Sequence, residues 1–408
     1  MLDITTNICP PRLVEQLPKL TSLIAKNPVT QNNVSRGELG VILYYFYLSR
    51  ASGESRYAHE AYQRLETLLR NLTANNTTDL MNSTLAGGLA GLGMTLEVLI
   101  NEGFIEDEYD DFLFRLDQLV FDNALKKIEK EDTDFLHGGT GGFHYLYYRF
   151  SKNPDVHTYL NKYVSTLAGI SYNYQTAAYI RNTYLQPISQ PGEVNLGLSH
   201  GMAATILILL NLYESDINQP LTESLIRKYI RFLLRYRNTG TYEQGRHALY
   251  PNTVTLRNGH FEPTGPSSYQ GGLRWCYGDL NVAHVLHRAG NLLSEPEWKN
   301  KAAETGLATL AIQDVEIARC HGSLFCHGAT GIAHYYDYLQ RISGIHEYRL
   351  GYDYWIQVAI DEFRKEEEQM LHTDISGYFL EGAVGSGLVI MNRILDEPGY
   401  WEKIWLLT

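Results

Sequence analysis

Cysteine is scarce in this sequence of 408 residues, which contains only Cys9, Cys276, Cys320 and Cys326. So few cysteines in a long chain do not predict a disulfide framework, and they favour metal binding or thiol chemistry instead. Long apolar runs are also missing, because the longest, MAATILILLNLY, is too short to span a bilayer. The first residues lack a basic segment followed by an apolar core, which predicts no signal peptide, no transmembrane segment and a cytoplasmic location.

Basic residues are also fewer than acidic residues. Lysine and arginine total 34 against 46 aspartates and glutamates, a net charge of −12. Because phosphate binding requires a basic face, this balance argues against a nucleic-acid partner. Hydrophobic residues make up 44% of the chain and aromatic residues 12%, which is enough to build a large buried core.

Seven segments share one pattern: a glycine, two further residues, a residue that is usually small, and then an apolar run. The pattern begins at Gly37, Gly88, Gly138, Gly201, Gly278, Gly328 and Gly382. These glycines are about 50 residues apart, a spacing that accommodates two helices and their loops, with longer intervals before Gly201 and Gly278.

Between the motifs lie amphipathic segments such as RYAHEAYQRLETLLRNL, whereas the runs after the glycines are apolar nearly all round and must be buried. This alternation predicts an all-α fold, an α/α toroid of seven helical hairpins forming one domain over residues 1–408. An open solenoid is the alternative, but the buried inner helices and the absence of polar caps favour closure. Residues 237–272, rich in Gly, Pro, Asn and Thr, are predicted to be an inserted loop beside the site, with a β-hairpin at Asn258-Gly259.

In a closed ring the glycine-rich turns meet at one rim, so the residues beside them converge. Cys276 and Cys326 each lie two residues before their motif glycine in adjacent repeats, which predicts neighbouring sulfurs. With His327 they offer two thiolates and one imidazole, a ligand set for one Zn²⁺ that leaves a fourth position open. A substrate thiol bound there would stay ionised and nucleophilic. The alternative is that these residues only pack in the core.

The motifs WCYGD from Trp275, CHGATG from Cys326 and SHG from Ser199 resemble those of the lanthionine synthetase C-like family, the lantibiotic cyclases. The resemblance extends over nearly the whole chain. It implies a zinc-containing α/α toroid that adds a cysteine thiolate of a dehydrated precursor peptide to a dehydroalanine or dehydrobutyrine of the same peptide. The product is a lanthionine or methyllanthionine ring. No dehydratase-sized region precedes the repeats, so a separate dehydratase and an exporter are the expected partners.

The same resemblance implies roles for further residues. It assigns proton transfer to His200, orientation of His200 to Asp134, and a polar contact to Tyr277. The family usually has an arginine four residues before the first cysteine ligand, where this chain has Gly272, and Arg274 is the candidate replacement. The alternatives are backbone capping for His200 and Asp134 and simple packing for Tyr277.

Two other classes of function compete with a cyclase. One is a non-catalytic module whose zinc binds glutathione or another thiol-containing partner. The other is a different toroid enzyme, such as a zinc prenyltransferase subunit or a glycosidase. A glycosidase needs paired carboxylates, and the rim offers Asp134 and Glu381, but these do not account for the two cysteines.

Overall fold

The computed structural model describes residues 10–74, 79–80, 82–106, 109–185, 192–238, 247–368 and 376–407. Its α-helices are α1 (Pro11–Val14), α2 (Leu17–Lys26), α3 (Glu38–Ser52), α4 (Ser55–Thr73), α5 (Leu89–Asn101), α6 (Asp110–Glu129), α7 (Thr140–Arg149), α8 (Asp155–Ile170), α9 (Met202–Glu214), α10 (Gln219–Leu234), α11 (Asp279–Leu292), α12 (Pro296–Ala308), α13 (Ala329–Ser343), α14 (Tyr348–Glu368) and α15 (Ala383–Leu395).

The odd-numbered helices from α3 to α15 form a closed inner ring, in which each contacts the next and α15 contacts α3. The even-numbered helices lie outside them, and α2 packs against α15 as the outer helix of the last repeat. The predicted α/α toroid of seven hairpins is therefore confirmed, and the open solenoid is excluded.

Burial follows the two sequence patterns. In the inner helix α9 every residue from Met202 to Leu212 is buried. In the outer helix α4 the buried residues are Ala61, Leu65 and Leu68, which recur every three or four positions. The core therefore lies mainly between the two rings. Each aliphatic or aromatic side chain that is fully buried there contributes about 1.5–3 kcal/mol to the stability of the fold.

The motif glycines allow close approach of the backbone at the rim. Six of the seven inner helices have the first glycine of the motif as their N-cap residue, as Gly88 is for α5. A Cβ atom at Gly88 would collide with the carbonyl of Asn82, and one at Gly331 would collide with the carbonyl of Phe325. Only glycine lets the turns and the first residues of the inner helices pack this closely.

Hydrogen bonds join the seven turns into a circle. Backbone bonds link Ser35 N to Ala86 O, Ala86 N to Leu136 O, Leu198 N to Cys276 O, Trp275 N to Cys326 O, Cys326 N to Leu380 O and Phe379 N to Ser35 O, at 2.8–3.3 Å. At the seventh junction, between the third and fourth turns, the side chains of Asp134 and His200 make the link instead. The backbone at the rim is thus fixed all the way round the axis.

The strands are β1 (Tyr172–Tyr174), β2 (Ala177–Tyr179), β3 (Glu193–Asn195), β4 (Thr253–Arg257) and β5 (His260–Pro263). β1 and β2 form an antiparallel hairpin, and β3-β4-β5 form an antiparallel sheet. The predicted hairpin is confirmed as β4–β5, with φ of 51° at Asn258 and 78° at Gly259. The strands β1, β2 and β3 were not predicted. Residues 239–246 of the predicted insertion lie outside the described residues.

A 3₁₀ helix at Tyr400–Trp405 packs among the inner helices. It contacts α5, Tyr47 of α3, His144 of α7 and His334 of α13. Trp405 is buried and packs edge-on against Trp275, with ring centroids 5.7 Å apart. Its carbonyl accepts a hydrogen bond from Trp275 Nε1 at 3.0 Å. This segment therefore supports the residue that precedes Cys276. Within the described residues, no helix is both long and apolar enough to cross a membrane.

Candidate active site

A cavity of about 210 Å³ lies on the toroid axis where the inner helices begin. Its walls are made by the two residues that precede the motif glycine in six repeats and by Ala86 alone in the second: Ser35, Arg36, Ala86, Leu136, His137, Ser199, His200, Cys276, Tyr277, Cys326, His327, Leu380 and Glu381. The N-terminal ends of the inner helices face this region, and their dipoles favour negative charge there. The arrangement suits a thiolate or a developing oxyanion.

Two free thiols lie together in the cavity wall. Cys276 and Cys326 are 8% and 9% exposed. The neighbouring Cys326 thiol and the charge of Arg274 lower the pKa of Cys276, whereas the neighbouring Cys276 thiol and burial raise the pKa of Cys326. The two thiols therefore lie close enough to affect each other's ionisation, and the second proton is harder to remove than the first.

His327 lines the same cavity, but its ring lies edge-on to His321, with centroids 5.5 Å apart. Burial lowers the pKa of His327, which favours the neutral imidazole that a metal requires. No group of three or more His, Cys, Asp or Glu side chains among the described residues is arranged to hold a metal ion. The thiol pair thus offers donors that suit zinc, and His327 lines the same cavity without completing a three-ligand group.

His200 and Asp134 form a directly bonded pair. His200 Nδ1 lies 2.7 Å from Asp134 Oδ2, which also accepts a hydrogen bond from Asn182 Nδ2 at 2.8 Å. Asp134 Oδ1 accepts the backbone N–H of His137 at 2.8 Å. Burial of Asp134 acts to raise its pKa, but the hydrogen bonds and the charge of His200 outweigh it and lower the pKa. The carboxylate is therefore ionised, and it fixes the plane of the His200 imidazole.

Tyr277 and Arg274 border the thiols. The Tyr277 hydroxyl accepts a hydrogen bond from Asn195 Nδ2 at 2.9 Å, and burial raises its pKa. The Arg274 guanidinium lies over the Tyr277 ring, 5.6 Å from the centroid, and its Nε donates to the carbonyl of Gly271 at 2.9 Å. Arg274 is close enough to influence both thiols, although the usual family position for arginine is occupied by Gly272.

Sequence reasoning missed three residues of this region. His137, to which the sequence analysis gave no role, lines the cavity and stacks on His200 with centroids 5.9 Å apart. Arg36 pairs with Glu381 at 3.2 Å across the first and last repeats. Both occupy the position before a motif glycine, so the repeat alignment could have identified them. Asn182 lies in a stretch without any motif, and nothing in the sequence pointed to it.

The sequence matches the lanthionine synthetase C-like protein family over residues 28–406. Among solved structures, one of those similar to this chain is a nisin cyclase, with a TM-score of 0.68 and 18% sequence identity. The match covers 97% of this chain and 97% of the other, so the likeness is one of the whole fold. No curated protein sequence matches the chain.

Proposed function

This chain belongs to the lanthionine synthetase C-like family, and we propose that it is a zinc-dependent cyclase that forms thioether rings in a dehydrated peptide. The observation that carries the proposal is the meeting of two thiols and a carboxylate-held histidine in one cavity. In the proposed reaction a cysteine thiol of the peptide adds across the double bond of dehydroalanine or dehydrobutyrine. A C–S bond forms at Cβ, a proton is delivered to Cα, and the thiol proton is released.

The proton at Cα is the step that this chain's side chains can control. We assign it to His200, whose Nδ1–H is held by Asp134, so that Nε2 can accept the proton released by the thiol, form an imidazolium stabilised by the carboxylate, and deliver that proton to Cα. No hydrogen-bond partner of Nε2 is present among the described residues. Tyr277, 6.4 Å from His200 between ring centroids, supplies a hydroxyl beside the same space. Arg274 supplies a positive charge for the enolate oxygen that forms during addition.

Zinc is proposed to be held by Cys276, Cys326 and His327, one ion per chain. The soft thiol pair and the neutral imidazole are the donors that zinc prefers. Binding requires His327 to join the two thiols, because the described residues do not already present a three-ligand group. When bound, the ion would hold the substrate thiol as a thiolate.

Partners follow from the chemistry of the substrate. The peptide must arrive with its serines or threonines already dehydrated, so we propose a separate dehydratase that acts first and an exporter that acts afterwards. We also propose that the protein acts in the cytoplasm.

The experiment measures zinc by elemental mass spectrometry and ring formation by loss of alkylatable peptide thiol. One zinc per wild-type chain, its loss in Cys276→Ala and Cys326→Ala, and loss of activity in both are expected. Cys320→Ala is the matched control, because Cys320 is a half-buried cysteine in a turn outside the cavity. Zinc retained in both cavity variants contradicts the metal assignment. Zinc with no ring formation on dehydrated peptides contradicts the cyclase and favours a non-catalytic module that binds glutathione or another thiol.

A further inference from the structure

One position in the ring of cavity-lining side chains is empty. The residues immediately before the motif glycines are, in order, Arg36, Gly87, His137, His200, Tyr277, His327 and Glu381. Six of these seven residues line the cavity with their side chains, and the second repeat has glycine instead. The inner wall is nevertheless complete there, since Ala86 lines the cavity like its equivalents in the other repeats.

Three pairs of neighbouring side chains in this ring lie close together, whereas no hydrogen bond, ion pair or ring contact joins His327 to Tyr277 or to Glu381 among the described residues. Glu381 pairs with Arg36 at 3.2 Å, and His137 stacks on His200, which lies 6.4 Å from the Tyr277 ring. On the two sides of Gly87, no hydrogen bond, ion pair or ring contact joins Arg36 to His137 within the described part of the chain. We call the gap between Arg36 and His137, at Gly87, the open sector.

The backbone does not require glycine at this position. Gly87 is not among the glycines with positive φ, and an added Cβ would meet only Thr84 Oγ1, at an ordinary contact distance of 3.6 Å. The next residue, Gly88, is different, because a Cβ there would collide with the Asn82 carbonyl. Packing and conformation therefore explain Gly88 and leave the missing side chain of Gly87 unexplained.

We propose that the open sector is where the main chain of the peptide substrate lies while its reacting side chains enter the cavity. The inference rests on the proposed function and identifies Gly87 as the residue that determines access. By equivalence with the other repeats, any side chain at 87 would occupy this space. Arg36 is 55% exposed on one side of the sector. Its guanidinium has five N–H donors, and among the described residues Glu381 Oε2 accepts a hydrogen bond from one of them, which leaves donors that can bind peptide carbonyls.

The test is Gly87→Phe, with Gly169→Phe as the matched control. Gly169 is an exposed residue of α8 where an added Cβ meets nothing within 4 Å. On a dehydrated peptide, Gly87→Phe should raise KM by about tenfold or more, equivalent to about 1.4 kcal/mol of lost binding, and Gly87→Ala should have an intermediate effect. Zinc content and urea midpoint should stay at wild-type values. Equal KM values for Gly87→Phe, Gly169→Phe and wild type would overturn the inference.

A second measurement does not depend on ring formation. After zinc is removed by a chelator, Cys276 and Cys326 are alkylated with N-ethylmaleimide or with a maleimide carried on a short peptide, and labelling is quantified by mass spectrometry. Gly87→Phe should slow the peptide reagent about tenfold relative to the small one, and Gly169→Phe should not. If wild type forms no rings, the proposed function fails, while this comparison still decides whether a peptide enters at Gly87. If the ratio of the two labelling rates is the same in Gly87→Phe and wild type, the open sector is not the path by which the peptide enters.

Discussion

Replacing Asp134 by asparagine tests the central pair of the site. The carboxylate is fully buried and accepts three hydrogen bonds, from His200 Nδ1, Asn182 Nδ2 and the backbone N–H of His137. Asparagine keeps the shape but removes the charge, and its NH₂ group faces a site where every partner is a donor. Either one buried donor loses its acceptor, or His200 switches tautomer and accepts at Nδ1.

The loss of stability and the loss of catalytic rate can both be estimated. Leaving a buried donor unsatisfied costs about 1–3 kcal/mol of stability. General acid–base catalysis contributes about 10²–10⁴-fold to rate, so the kcat of Asp134→Asn should fall by about 10²-fold or more. The assay follows free peptide thiols by alkylation and mass spectrometry, alongside urea unfolding. Asp132→Asn is the control, because Asp132 is a neighbouring carboxylate that pairs with Lys127 at 2.7 Å and does not contact His200.

The contribution of Asp134 to the free energy of unfolding should change with pH in one direction. The pKa of Asp134 is lowered in the folded protein, so its contribution is complete above the ordinary value of 3.8 and is lost as the pH falls below it. The difference in unfolding free energy between wild type and Asp134→Asn should therefore be constant near neutrality and shrink below about pH 4. A folded Asp134→Asn enzyme whose kcat stays within a factor of about three of wild type would refute the assignment of His200 and Asp134.

Three further substitutions give distinct outcomes. Gly88→Ala should destabilise the fold by about 1–3 kcal/mol in urea unfolding, because its Cβ collides with the Asn82 carbonyl. The control, Gly87→Ala, should unfold like wild type. Equal unfolding free energies for the two variants would contradict the close packing at the rim. Trp405→Ala should lower the free energy of unfolding by about 3–5 kcal/mol in the same assay, because it opens a cavity beneath Trp275. Tyr62→Ala, at an exposed aromatic residue, is the control. A smaller loss for Trp405→Ala than for Tyr62→Ala would argue against the central role of this segment. Cys320→Ser should leave zinc content and ring formation unchanged, because Cys320 lies outside the cavity. A loss of zinc would mean that Cys320 takes part in the metal site.

The toroid and the composition of its rim could be predicted because both follow from repetition. Once seven equivalent turns are recognised, closure brings equivalent positions together, and Cys276 must lie beside Cys326. Features outside the repeat were beyond this reasoning. Asn182 reaches Asp134 from a connecting segment of no regular length, and β3 pairs with β4 across most of the fourth repeat. Such contacts depend on how loops fold back in three dimensions, which no local pattern encodes.

The three-ligand zinc set shows a different limit. Repeat equivalence predicts that Cys276, Cys326 and His327 border one cavity, and the structure places them there. It does not specify the rotamer of His327, whose ring lies against His321. Side-chain orientation depends on local neighbours, and His321 comes from a turn that the repeat does not describe.

The circle of hydrogen bonds at the rim has a consequence for local fluctuations. A turn held on both sides by its neighbours cannot open alone, since opening it breaks two junctions and exposes buried inner-helix residues. The amide protons of Ala86, Trp275, Cys326 and Phe379, which form this circle, should therefore exchange with deuterium only through global unfolding. The floor of the cavity would then be among the slowest-exchanging parts of the molecule, although it lies within reach of solvent.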